Sequence, residues 1–369
     1  MRFPRTFRHQ IILPCCLLFL LVWTLKDESY WKWIALPGEK ALNVKRPSNL
    51  RPRANRLDSA VCTGDLLDQR HHHFEKETDG SYRFTSDQSE PCRLVWYTTE
   101  RIVSCFDSLR YAKWPDGSLS ERSNNSLHFL FMGDSRIRQQ FYNFAALIPD
   151  YDQIRQPIQL SSGSHDNIEI TSNILNLRLS FKWRHLLDDN VIDTVRRLAT
   201  SDSSERPHLL FFSIVVHHML GIHGADHRLY EEQFKKLAPE LGRLANVSQV
   251  ILFNQYPVEE LQEKNYDINT YIHSGKIDNY NKAIRRLLEN ESSRIRIWDS
   301  SDPLAEEYVR SCVVLERDEV FYAGHRPYLS KDTAFADCND FIHTGYSALS
   351  EATNLLYNDI CNNVMDWTQ

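Results

Sequence analysis

Leu127-His128-Phe129-Leu130-Phe131-Met132-Gly133-Asp134-Ser135-Arg136-Ile137-Arg138-Gln139 runs from an apolar stretch, through Gly-Asp-Ser, into a segment of helical character. Residues 127–132 have the length and apolarity of a buried strand, and the helical pattern from Ser135 continues to about Leu147. A strand that ends in a tight turn and feeds a helix lifts the turn residue above the carboxyl edge of a sheet, where α/β proteins bind their ligands. Gly133 permits the sharp backbone. The helix start supplies unpaired N–H groups and a partial positive potential, both favourable to a negative oxygen near Ser135. The N–H of Ser135 is then a donor for the oxyanion of an acyl tetrahedral intermediate. By itself, Gly-Asp-Ser describes a capped helix equally well, with Asp134 or Ser135 as the cap.

Downstream, strand-like and helix-like segments alternate. Residues 168–183 hold one or two strands, 188–200 a helix, 208–216 a buried strand, 226–245 an amphipathic helix and 249–253 another strand. Residues 276–289 follow as a helix, 294–298 as a strand, 303–315 as a helix and 346–360 as the last helix. Such alternation predicts a three-layer α/β fold with a mainly parallel sheet covered on both faces. Residues 61–126 carry cysteines and aromatics with weak helix signals. The composition is that of a globular protein, 42% apolar and 25% charged over 369 residues. The net charge of −6 is mild and well mixed, which gives no case for a nucleic-acid partner. No repeat points to a solenoid or propeller. His223 and His227 lie in a glycine-bearing stretch, and the side chains of His71–His73 cannot share one helix face, so no metal centre is expected.

The second half of the chemistry lies near the C-terminus, in Asp340-Phe341-Ile342-His343 just before the last helix. A serine hydroxyl needs a general base within hydrogen-bond reach, and that base needs an orienting carboxylate. His343 is the candidate base and Asp340, three residues earlier, the candidate orienting acid. Gly-Asp-Ser after the first long strand, with D-x-x-H before the last helix, is far more specific than either motif alone.

This combination resembles the SGNH/GDSL hydrolases. The longer string Gly133–Gln139, followed by Phe141-Tyr142, is similar to the lumenal domain of the animal Golgi sialate O-acetyltransferases, as are Arg206–Val216, Lys276–Asn281 and the stretch from Asp340 and His343 to Asn362. The resemblance implies an SGNH-like catalytic domain with Ser135 as nucleophile, Asp340 as orienting acid and His343 as base. It implies ping-pong chemistry, in which Ser135 takes an acetyl group and a sugar hydroxyl, most simply one of sialic acid, then takes it from Ser135. Gly133, Asp134, Arg136 and Arg138 are the candidate oxyanion and substrate-binding residues, the arginines through pairing with a sialate carboxylate or a nucleotide phosphate. Trp183, His217 and His218 are candidates for the cleft wall. The family's G-x-N oxyanion motif has no counterpart after residues 208–216, where the chain reads Val216-His217-His218-Met219; Gly163, Asn167 or a later residue would have to substitute.

The resemblance also places the domain in the Golgi lumen. Arg2, Arg5, Arg8 and His9 precede an apolar stretch from Ile11 to Leu25, which spans only ~22 Å as a helix. A cleaved signal peptide and a short signal anchor both fit such a stretch. Without a small-x-small site after Leu25, the anchor is favoured, with residues 1–10 cytosolic, 11–25 in the membrane, 26–60 a proline-bearing stem and 61–369 lumenal. This is a single-pass type II arrangement. Six cysteines lie beyond the anchor, at 62, 92, 105, 312, 338 and 361, and suggest disulfides of unspecified pairing. Sequons start at Asn124, Asn246 and Asn290. No cofactor is expected to be resident. Acetyl-CoA is the expected acetyl donor, yet it is made in the cytosol. Family members carry a multi-span domain after the lumenal one, whereas this sequence runs to Gln369. A separate multi-span protein that supplies acetyl groups, a lumenal donor, or removal rather than transfer of acyl groups would each resolve that separation. A catalytically silent accessory role is the remaining reading.

Overall fold

The computed structural model describes residues 60–86, 92–113, 126–158, 165–202, 205–258, 272–289, 291, 294–309 and 342–362. The expected anchor at 11–25 and nearly all of the stem lie outside them, as do Gly163, Asp340, Asn124, Asn290, Cys312 and Cys338. Among the described residues, no helix is long and apolar enough to cross a membrane.

A hairpin comes first, β1 (His72–Lys76) against β2 (Tyr82–Ser86). Helix α1 (Thr99–Lys113) follows, then β3 (Leu127–Gly133), α2 (Ser135–Ala146), β4 (Gln153–Gln156), β5 (Ile168–Ser172) and β6 (Leu177–Trp183). The chain continues through α3 (Asp189–Thr200), β7 (Leu209–Ser213), two 3-10 turns, α4 (His227–Ala245), β8 (Gln249–Phe253), α5 (Ser274–Leu288), β9 (Ile295–Trp298) and α6 (Tyr346–Asn362). Residues 302–309 are also helical.

Among the described residues, seven strands form one sheet in the order β4-β5-β6-β3-β7-β8-β9. From β6 to β9 every pairing is parallel, whereas β4 and β5 extend the sheet antiparallel at one edge. Alternation along each strand divides the core into two layers. Phe129, Phe131, Phe181, Phe211 and Ile251 face α1, α2 and α6, where Phe106, Phe141, Phe144 and Tyr357 meet them. Leu130, Met132, Leu210, Phe212 and Val250 face α3, α4 and α5, where Val191, Tyr230, Phe234 and Ile277 meet them. Helix, sheet and helix therefore stack as three layers. Phe131 and Phe211 stack at 4.4 Å between centroids across neighbouring strands. Each such fully buried side chain contributes about 1.5–3 kcal/mol through burial.

Among the described residues, two disulfides fasten the outer elements, Cys62–Cys92 and Cys105–Cys361. The second joins α1 to the end of α6. Inside the same layer, Gln140 of α2 donates to Thr353 at 2.8 Å, and Tyr357 donates to the Phe144 carbonyl at 2.8 Å. Arg296 of β9 pairs with buried Asp359 of α6.

The strand expected over 208–216 ends at Ser213, because the N–H groups of Val215 and Val216 turn away from the sheet toward a buried carboxylate, that of Asp134. Residues 168–183 are two strands around a turn in which Asn176 has φ 44°, a conformation that asparagine tolerates.

Candidate active site

The chain leaves β3, builds β4 to β6 on one side, and returns to place β7 on the other. The carboxyl end of β3 is therefore the topological switch point, where neighbouring connections diverge and open a crevice. Register aligns Gly133 with Trp183 on β6 and with Ser213 on β7.

Gly133 is there for steric reasons. A Cβ at that position would lie 2.0 Å from the Ser213 carbonyl oxygen and 2.9 Å from Ile137 Cγ1. Asp134 caps α2 and is fully buried. Its carboxylate accepts from the Arg136 N–H at 3.1 Å, the Val215 N–H at 3.2 Å and the Val216 N–H at 3.4 Å. Gly133 and Asp134 thus shape the nucleophile turn and fasten the loop after β7 to it. Of these two candidates for the oxyanion and substrate-binding set, Gly133 serves through its backbone, and the Asp134 side chain is committed to backbone donors inside the protein.

Ser135 opens α2 and is half-buried. Its Oγ lies 2.7 Å from His343 Nε2, across 208 residues of sequence. With Nε2 accepting from the hydroxyl, the ring proton sits on Nδ1. Asp340, the expected partner of that proton, lies outside the described residues. The arrangement suits removal of the serine proton as the hydroxyl attacks a carbonyl, with the start of α2 beside the developing oxyanion.

Arg136 departs from its expected role. Its side chain is 1% exposed. Nε and Nη2 donate to the Ile342 carbonyl at 3.1 and 2.7 Å, while Nη1 donates to Gln255 Oε1 at 2.8 Å and the Tyr256 carbonyl at 2.7 Å. The Tyr256 ring centroid lies 3.7 Å from the guanidinium carbon. A guanidinium so enclosed is turned away from any bound carboxylate. Gln255 and Tyr256, beyond the carboxyl end of β8, were not singled out from sequence. Polar residues directly after a core strand were the available signal.

The β6 side is lined by rings. Trp183 has His165 stacked at 4.3 Å, the Arg138 guanidinium 5.0 Å from its centroid, and His217 at 5.9 Å edge-on. His185 and His223 complete the group, with centroids 5.4 Å apart and at 5.4 and 6.0 Å from His217, respectively. Burial lowers the pKa of His217 and His185, and the neighbouring imidazoles lower both further against the opposing charge of Asp134. Burial also lowers that of Arg138. Asn167 reaches the same edge, its Oδ1 accepting from the Trp183 N–H at 3.1 Å. Trp183, His217 and Arg138 are therefore brought together beside the nucleophile turn. His218 is not. It is buried, its Nε2 accepts from the Leu187 N–H at 2.7 Å, and burial pushes its pKa down to about 4. Among the described residues, no group of three or more His, Cys, Asp or Glu is placed to hold a metal ion.

No family model matches the sequence. Among curated proteins, the N-acetylneuraminate (7)9-O-acetyltransferase of Danio rerio is 25% identical over 188 residues, which is 50% of this chain and 22% of that protein. The chain thus spans about a fifth of its relative's length. Among solved structures, a protein of Parabacteroides merdae described as a GDSL-like lipase aligns over 66% of this chain and 97% of its own, with 12% identity and a TM-score of 0.34; at that score the likeness adds nothing to the strand topology. A Gly-Asp-Ser turn at the switch point of a mainly parallel sheet and a serine–histidine contact thus stand in a chain that is similar, over half of its length, to a sialate O-acetyltransferase.

Proposed function

We propose that the protein is an O-acetyltransferase that passes an acetyl group through Ser135 to a sugar hydroxyl, with sialic acid or a related glycan as acceptor. The observation that carries this reading is the 2.7 Å contact between Ser135 Oγ and His343 Nε2 at the start of α2. The similarity to an acetyltransferase of sialic acid supports transfer over simple hydrolysis.

In the first half-reaction, Ser135 Oγ attacks the acetyl carbonyl of the donor and its proton passes to His343. The tetrahedral intermediate collapses, and the leaving group, the thiol of coenzyme A for an acetyl-CoA donor, departs with that proton. In the second half, the sugar hydroxyl attacks the acetyl-serine, His343 takes its proton, and Ser135 Oγ recovers it as the ester leaves. Asp340 orients the imidazole. The Ser135 N–H serves the oxyanion, and the ring-lined β6 side with Arg138 receives the acceptor. The site works on the lumenal side of the Golgi membrane, anchored by residues 11–25, with a multi-span partner supplying acetyl groups.

The test uses the full chain and its Ser135→Ala variant, purified in detergent, with acetyl-CoA and other acyl donors, a panel of sugars that includes CMP-sialic acid, and mass spectrometry of products. Acetylated sugar from wild type alone, with a loss of at least ~10³-fold in the variant, supports the proposal. Acetate release without sugar product makes the protein an esterase. Equal products from both proteins remove Ser135 from the chemistry.

A further inference from the structure

We propose that Arg136 is a positioning residue for the base: the side chain next to the nucleophile in sequence sets where His343 stands. This rests on the reading of Ser135 and His343 as a catalytic pair. His343 lies in an irregular stretch ahead of α6. The two peptide groups that flank it are held by one assembly. The Ile342 carbonyl accepts both Nε–H and Nη2–H of Arg136, and the Thr344 N–H donates to the Tyr256 hydroxyl at 3.1 Å. Arg136 in turn lies against the face of that same Tyr256 and is bonded to the Tyr256 carbonyl. Gln255 locks the far side, accepting from Arg136 and donating to Ser213 Oγ at 2.5 Å, on the strand beside Gly133.

Three physical points single out arginine. Among the described residues its guanidinium donates to neutral groups, with the buried carboxyl of Asp302 close enough to feel its charge, and a buried cation is costly unless its donors are satisfied. A cation in the first turn of a helix also opposes the helix dipole. Neither cost is explained by stability alone. Finally, the planar fork reaches two carbonyls and an amide while sitting over a ring, a geometry that a lysine ammonium cannot reproduce. Nucleophile and base thus take their separation from adjacent residues of one helical turn. A displacement of about 1 Å at a reacting centre can cost ~10²-fold in rate.

The experiment compares the full chain with Arg136→Lys, Arg136→Ala and Tyr256→Phe. It measures kcat and KM for acetyl transfer, labelling of Ser135 by a fluorophosphonate, thermal unfolding, and the ¹H–¹⁵N correlation of the His343 imidazole, identified by its loss in His343→Gln. The expected result is a kcat loss of ~10²-fold in Arg136→Lys with acceptor KM within about threefold, parallel slowing of Ser135 labelling, and a shifted or broadened His343 signal. Tyr256→Phe, which removes one oxygen and keeps the ring, is expected to lose ~10-fold in the same direction. Methylguanidine is expected to restore part of the labelling rate of Arg136→Ala. The proposal is overturned if folded Arg136→Lys and Tyr256→Phe label at the wild-type rate with an unchanged His343 signal, or if Arg136→Lys raises acceptor KM alone, which would make it a substrate contact. If Arg136→Lys does not fold, Tyr256→Phe decides. Absence of Ser135-dependent transfer in wild type would refute the functional reading, while the His343 signal would still decide the positioning role.

Discussion

The two arginines of α2's first turn point to opposite walls of one site, and the walls are built differently. On the β8 side, Arg136, Gln255 and Tyr256 are almost wholly buried and bonded to one another and to the backbone around His343. On the β6 side, Arg138, Trp183, His185, His217 and His223 are half-buried, and meet mostly through ring contacts. Ring contacts are weakly directional and tolerate exchange, whereas a buried polar network fixes position and is intolerant of loss. On the proposed reading, the buried wall holds the geometry of Ser135 and His343, and the ring wall is the one that meets a ligand.

The seam between the walls gives the largest expected effect. Gly133→Ala must push β3 from β7, because its new methyl meets a backbone oxygen, and we expect a loss of more than about 3 kcal/mol in urea unfolding. An unchanged midpoint would mean that the two strands are not packed as described. Next comes the loop that carries His217 toward the ligand side and His218 inward. The pKa of His218 is pushed down to about 4, so the folded protein binds that proton less readily than the unfolded chain. Its contribution is complete above the ordinary histidine value of 6.5 and is lost as pH falls toward 4, by up to roughly 3 kcal/mol. His218→Gln keeps an acceptor for the Leu187 N–H, and is expected to flatten the acid loss of stability between pH 6.5 and 4. An unaltered slope would show that other groups carry it.

On the buried wall, Gln255→Leu leaves an Arg136 donor and the Ser213 hydroxyl oxygen short of a partner. We expect a loss of about 1–3 kcal/mol in stability, together with lower kcat. On the ring wall, Arg138→Gln is expected to raise KM for an anionic acceptor about tenfold, the equivalent of one charge-assisted hydrogen bond, while thermal unfolding shifts little. Should Arg138→Gln lower kcat and Gln255→Leu raise KM instead, the contrast between the walls is reversed.

The strand-turn-helix at 127–139 was legible because apolar runs and helical periodicity act locally, and the faces of the sheet followed from alternation. Ser135 and His343 were legible because their motifs sit at defined places in the topology. Edge strand β4 was missed, since Gln153–Gln156 is only half-buried and carries no apolar run. The β1–β2 hairpin was missed in a stretch that looked merely polar and aromatic. Arg136 was misread for a different reason. Its key acceptors are carbonyls of residues 342 and 256, and a carbonyl has no sequence signature. Nothing local distinguishes an arginine that binds substrate from one that grips the backbone 206 residues away.

The docking of α6 has a consequence for synthesis. The nucleophile is translated at residue 135, whereas its base arrives with the last helix, held by Gln140, Tyr357 and the bond to Cys105. A nascent chain on the ribosome carries its serine disarmed for some two hundred residues, since the base is encoded at 343. On the proposed reading, acyl transfer waits until the C-terminal segment has emerged and closed the layer, so the growing chain does not acylate itself while its sheet is still incomplete.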